Sequence, residues 1–166
     1  DKMPGTSFAE LSYGNIADLT YSMDEFDKAF EAYNSLLANA KMQNNITKAR
    51  LGMMRSAYRL GNNYAAIEAC DHLLSADLKD SDLKREVMYV KAKASRKNSD
   101  YATSNIFMKK LAEMPDPPEG AEASYILIQD ALDKGDFKNV ETLAFKFSQN
   151  AGDQSYWLAK AFIQSV

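Results

Sequence analysis

The chain has 166 residues, 46% of them apolar and 26% charged, enough for one domain with its own core and too polar for a membrane protein. No run nears the ~18 consecutive apolar residues of a spanning helix, so no membrane insertion is expected, and the single cysteine, Cys70, excludes an internal disulfide and thiolate zinc clusters. The net charge of −3 conceals a basic middle, 13 basic against 7 acidic side chains over 46–110, between two acidic ends.

Along the chain, Ser7-x-x-Glu10 and Ser22-x-x-Glu25 read as capping boxes that open two helices, with a turn at Asp24. Turn-forming residues then recur at Gly61, Asn98 and Gly135, each 37 residues after the last, and all four are types that tolerate the left-handed conformation at a helix end. The flanks repeat with them. Small residues stand four before the turn (Thr20, Ala57, Ala94, Ala131) and small or β-branched residues five after it (Ala29, Ala66, Thr103, Val140). An aromatic follows each turn (Phe26, Tyr64, Tyr101, Phe137) and is expected to fill the gap between two closely packed helices. Apolar residues recur at three- and four-residue steps on both sides, which is helical spacing. Asn45-Ile46-Thr47 fits a glycosylation acceptor, but a helix start capped by Asn45 explains it. Met53-Met54 and the other methionines read mainly as core filler, Asp100 and Asp136 as N-caps, and Pro115 to Pro118 as a stiff linker.

The expected architecture is therefore all-α: four helical hairpins over about 8–44, 45–80, 81–117 and 118–152, then a terminal helix over 153–166. The next turn would fall near position 172, so the last segment reads as the first helix of a fifth hairpin in a longer array, with Trp157 packing back on the fourth.

The stretches EFDKAFEAY (25–33) and GDFKNVETLAF (135–145) resemble the core of the tetratricopeptide repeat, with a period a few residues longer than usual; Lys91 and Lys110 depart from the family pattern. AEASYILIQDALDKGDF followed by SYWLAKAFI is similar to the C-terminal part of long tetratricopeptide proteins of the Bacteroidetes cell envelope. This resemblance implies a right-handed superhelical solenoid, a non-catalytic role in protein binding, and a periplasmic or cell-envelope location. It also implies a concave face built from the first helix of each hairpin. On this sequence that face carries Tyr21, Lys48, Arg55, Tyr58, Arg59, Arg85, Arg96, Tyr125 and Gln129. Guanidinium forks bind carboxylates in pairs and tyrosine offers flat contact area, so the implied ligand is a protein or peptide segment of acidic character. Gly14 and Asp18 stand where the family's carboxylate clamp has Lys and Asn, which argues against that particular clamp.

Catalysis finds no support in the residues. His72 is the only histidine, Cys70 and Asp71 do not share its helix face, and no nucleotide loop or His-Glu-x-x-His motif occurs, so neither cofactor nor metal is expected. A pI of ≈ 5.2 with acidic flanks argues against nucleic acid. The competing expectation is a structural spacer or self-association module acting through the apolar side of 154–166.

Overall fold

The computed structural model describes residues 8–76 and 78–164, which form nine helices and no strand among the described residues. They are α1 (Phe8–Ser22), α2 (Phe26–Asn39), α3 (Gln43–Leu60), α4 (Asn63–Ser75), α5 (Ser81–Lys97), α6 (Tyr101–Leu111), α7 (Pro118–Asp133), α8 (Phe137–Asn150) and α9 (Ser155–Gln164). None is long and apolar enough to cross a membrane. The chain divides into two compact units, Asp1–Asn98 and Ser99–Val166.

In the first unit each helix packs on the next, and the alternate helices α1, α3 and α5 also touch in sequence. Two apolar clusters result. Ala17, Ala29, Tyr33, Leu36 and Ala49 join α1, α2 and α3, while Leu51, Met54, Ala66, Cys70, Leu73 and Val87 join α3, α4 and α5. Alanine at the contact points lets the backbones approach, and longer residues fill the remaining space.

The turns are near copies of one another. Gly61 (φ 75°) and Gly135 (φ 68°) take the left-handed conformation, as do Asp24 (φ 59°) and Ser99 (φ 62°). The next residue starts the following helix: Glu25, Asn62, Asp100 and Asp136 all sit at φ between −77° and −85°. Glu25, Asn62 and Asp136 each donate their amide to the carbonyl five residues back, on Thr20, Ala57 and Ala131, which closes a Schellman cap.

Several expectations shift at these turns. Asn98 is right-handed (φ −86°) and Ser99 takes the left-handed place, so the intervals run 37, 38 and 36 rather than a constant 37. The reason is Asp100, whose carboxylate accepts the Thr103 amide at 3.0 Å; capping there fixes the left-handed residue immediately before it. The register of α6 follows: Ser104, Met108 and Leu111 are buried, and Thr103 only partly so. Asp136 caps α8 as expected, accepting from the Asn139 amide.

Ser22 is not a cap: it ends α1, its hydroxyl donates to the Leu19 carbonyl, and Glu25 caps α2 without a side-chain bond. Ser7 lies outside the described residues. Asn45 does not cap α3 either. That helix begins two residues earlier behind Met42, leaving the Asn45 amide to donate to the buried Glu10 carboxylate at 2.7 Å. The aromatics after the turns do not fill the seams, since Tyr64, Tyr101 and Phe137 are exposed and Phe26 half-buried. In the first turn a side chain tilts back over the helix start and away from the neighbouring helix. The methionines split. Met54, Met88 and Met108 are buried, but Met23, Met42 and Met114 are exposed.

In the second unit the proline linker also starts a helix, with Pro118 at the first position of α7, where its missing amide costs nothing. Gly120 lies so near the Met114 carbonyl that a Cβ would stand 1.8 Å from its oxygen. Around fully buried Phe147, the cluster of Ala121, Ile128, Val140 and Ala161 joins α7, α8 and α9. Trp157 packs against that cluster and on Tyr125 of α7, with ring centroids 5.6 Å apart, as its sequence position predicted.

Candidate functional site

Seven of the nine implied face residues lie in the first unit and two, Tyr125 and Gln129, in the second. On α3, Lys48, Arg55 and Arg59 are spaced by seven and four residues, which sets them on one helix face. Each turns sideways to a carboxylate. Lys48 Nζ lies 2.5 Å from Asp18 Oδ2 on α1. Arg55 donates through Nε and Nη2 to the two oxygens of Glu86 on α5, at 2.6 and 2.7 Å. The exposed Arg59 lies 3.6 Å from Asp24, beyond the end of α1. The middle helix is thus joined to both neighbours by opposite charges.

Tyr33 of α2 completes the arrangement. Its ring lies across Gly52, where a Cβ would stand 2.3 Å from the ring carbons, and its hydroxyl donates to Asp18 Oδ1 at 2.9 Å. Burial and then the Asp18 acceptor raise the Tyr33 phenol above its ordinary range. Hydrogen bonding to Glu86 raises Arg55 likewise, so this guanidinium stays charged at every working pH. Leu51, Gly52 and Tyr33 floor an open cleft of about 340 Å³ whose walls carry Asp18, Lys48 and Arg55. A segment lying there meets an apolar floor between charges of both signs.

The remaining residues line up less simply. Tyr21 meets Phe26 edge-on at 5.3 Å, and the Arg59 guanidinium sits 4.6 Å over the Phe26 ring, forming a small stack at the first turn. The half-buried Tyr58 ring carries the Lys97 ammonium at 5.0 Å. Arg85 bonds Asp82 of its own helix at 2.9 Å and is mostly covered, and Arg96 is half-buried on the last turn of α5. In the second unit the Tyr125 hydroxyl donates to Gln129 Oε1 at 3.2 Å, and Gln129 donates to Asp133.

Lys91, a departure from the family pattern, is a mostly covered residue whose ammonium is paired with Asp71 of α4. Beside them the Cys70 thiol is pushed up to about 12 by burial, with Lys91 pulling the other way, so it stays protonated and inert. Cys70 is buried while His72 is exposed, which is not the arrangement of a nucleophile and its base.

Sequence reasoning does not single out Glu86, and it gives Asp18, Asp24 and Asp71 other roles than partners of these cations. A signal existed, since each lies in or beside a helix packed against one bearing its cation, but pairing between helices can be read only once their packing is known. No protein-family model, no curated protein and no solved structure matches this chain.

Proposed function

We propose that the chain is a non-catalytic interaction scaffold, a right-handed superhelical array of tetratricopeptide-like hairpins that holds a peptide segment of a partner against the α1–α3–α5 face. The observation that carries this reading is the cleft between Asp18, Lys48 and Arg55, with its apolar floor and the nearby Tyr21, Tyr58 and Arg59. Its cations already hold internal carboxylates, so an acidic ligand must compete with Asp18, Glu86 and Asp24. Binding is therefore weak, fast and sensitive to salt. The test is selection from a random peptide display library. Acidic, aromatic-containing peptides should be enriched on the wild type and lost on an Arg55→Glu, Arg59→Glu, Arg96→Glu variant that retains its helical content. Equal enrichment on both proteins, or none on either, would remove the proposal.

A second reading, a spacer or self-association module of a larger cell-envelope protein, is favoured by one observation: Tyr156, Phe162 and Ile163 of α9 are exposed. Sedimentation should then show a concentration-dependent dimer that Phe162→Glu with Ile163→Glu abolishes, whereas a monomer at millimolar concentration argues against self-association.

A further inference from the structure

The end of the second unit gathers three aromatic rings around one ammonium. Lys160 Nζ lies 5.0 Å from the ring centroid of Tyr156, 5.3 Å from that of Trp157 and 5.6 Å from that of Tyr125, all within the range of cation–π attraction. Tyr156 and Trp157 precede Lys160 by four and three residues, so helix geometry alone brings those two together. Tyr125 arrives from α7, and its position is fixed by stacking on Trp157 and by the hydroxyl bond to Gln129. Tyr156 meets Trp157 edge-on at 5.0 Å with planes 76° apart, so the rings present differently inclined surfaces to one point. Hydrogen bonding to Tyr156 raises the Lys160 ammonium above its ordinary range, and desolvation opposes that shift.

A staple between α7 and α9 would need one ring. Three rings from two helices converging on one cation have the chemistry of a receptor for organic cations. The occupant is held on a flexible four-carbon stem at the surface, and side chains of this kind exchange rotamers in picoseconds to nanoseconds. We infer that Tyr125, Tyr156 and Trp157 form a recognition site for an organic cation, the alkylammonium or guanidinium head of a ligand, which Lys160 fills and guards until the ligand displaces it. The inference does not depend on the first unit binding a peptide.

Trp157 is the only tryptophan, so its fluorescence reports on this site alone. The wild type and Lys160→Ala are titrated with tetramethylammonium chloride against sodium chloride at equal ionic strength, then with a short peptide carrying one trimethyllysine. With the guard removed, tetramethylammonium should cause a saturable change in emission, with a midpoint about tenfold lower than in the wild type. Adding Tyr125→Leu to Lys160→Ala should abolish that change while circular dichroism stays the same. A midpoint for the peptide well below that of the free ion assigns the site to a partner's side chain, and equal midpoints assign it to small quaternary amines. If the tetramethylammonium and sodium curves coincide in both proteins, or the Tyr125→Leu form responds unaltered, the three rings are only a packing contact and the inference falls.

Discussion

The two units solve the same packing problem with different chemistry. In the first, α3 is tied to α1 and α5 by Lys48–Asp18 and Arg55–Glu86, α5 to α4 by Lys91–Asp71, and alanines and Cys70 let the helices lie close beneath these pairs. In the second, the fully buried Phe147 and the Tyr125–Trp157 contact draw α7, α8 and α9 together. Ion pairs at a partly exposed surface stabilise little, but they fix which helix lies beside which and leave charges that a ligand can borrow. Aromatic burial stabilises more and is indifferent to salt. The first unit thus offers exchangeable charge for an acidic segment, whereas any ligand of the second unit must be recognised by aromatic surface.

The contrast can be broken most forcefully at Phe147. Phe147→Ala removes the largest fully buried side chain among the described residues and should cost about 3–5 kcal/mol, with hydrogen exchange rising in α7–α9 before α1–α5. Equal loss of protection in both units would mean that they do not differ as described. Next in size is Gly52→Ala, which drives a methyl group into the Tyr33 ring and should cost about 1–3 kcal/mol, releasing the Tyr33 hydroxyl from Asp18. An unshifted Tyr33 resonance would count against that close approach. A smaller effect is expected from Arg55→Ala, about 1 kcal/mol because the pair is partly solvated. Its coupling to Glu86→Ala in a double-mutant cycle should shrink as salt rises.

A fourth difference is confined to alkaline solution. The folded Cys70 thiol is raised from 9.0 to about 12, so the folded state holds its proton more tightly than the unfolded chain. The resulting stability is complete below pH 9.0 and is lost as the pH climbs towards 12; Tyr33, shifted in the same direction, adds to the loss at higher pH. Denaturant midpoints for Cys70→Ala should therefore fall less than those of the wild type between pH 8.5 and 10.5, and thiol reagents should label the wild type only when it unfolds. Rapid labelling of the native protein would show that the thiol is not sealed.

Most of the helices were legible because two signals coincide in them, apolar spacing and the residue that ends each helix. Gly61 and Gly135 are plain in this respect, since a glycine before a capping residue leaves little choice. Asn98 and Ser99 show the limit. Both can turn the chain, and the choice belonged to Asp100, a cap whose strength outranks the preference of asparagine for the left-handed region. Asn45 does not act as a cap because its side chain makes the tertiary bond to Glu10, which no local rule contains. The candidate face was half legible. The resemblance implied one face for Lys48, Arg55 and Arg59, but whether those charges are open or engaged depends on Asp18, Asp24 and Glu86 across the helix gaps. Lys160 was invisible as a site, because Tyr125 meets it only through the packing of α9 on α7.

The proposed function requires that the α1–α3–α5 face take up acidic peptide by exchanging its internal carboxylates. Its most direct test is a nuclear magnetic resonance titration of the isotope-labelled chain with an acidic, tyrosine-containing decapeptide at low and at molar salt. Amide shifts gathered around Asp18, Lys48, Arg55 and Glu86 are expected at low salt, with the Tyr33 hydroxyl environment changing alongside, and should disappear at high salt. Shifts confined to α7 and α9, or shifts in α3 that survive molar salt unchanged, would contradict it.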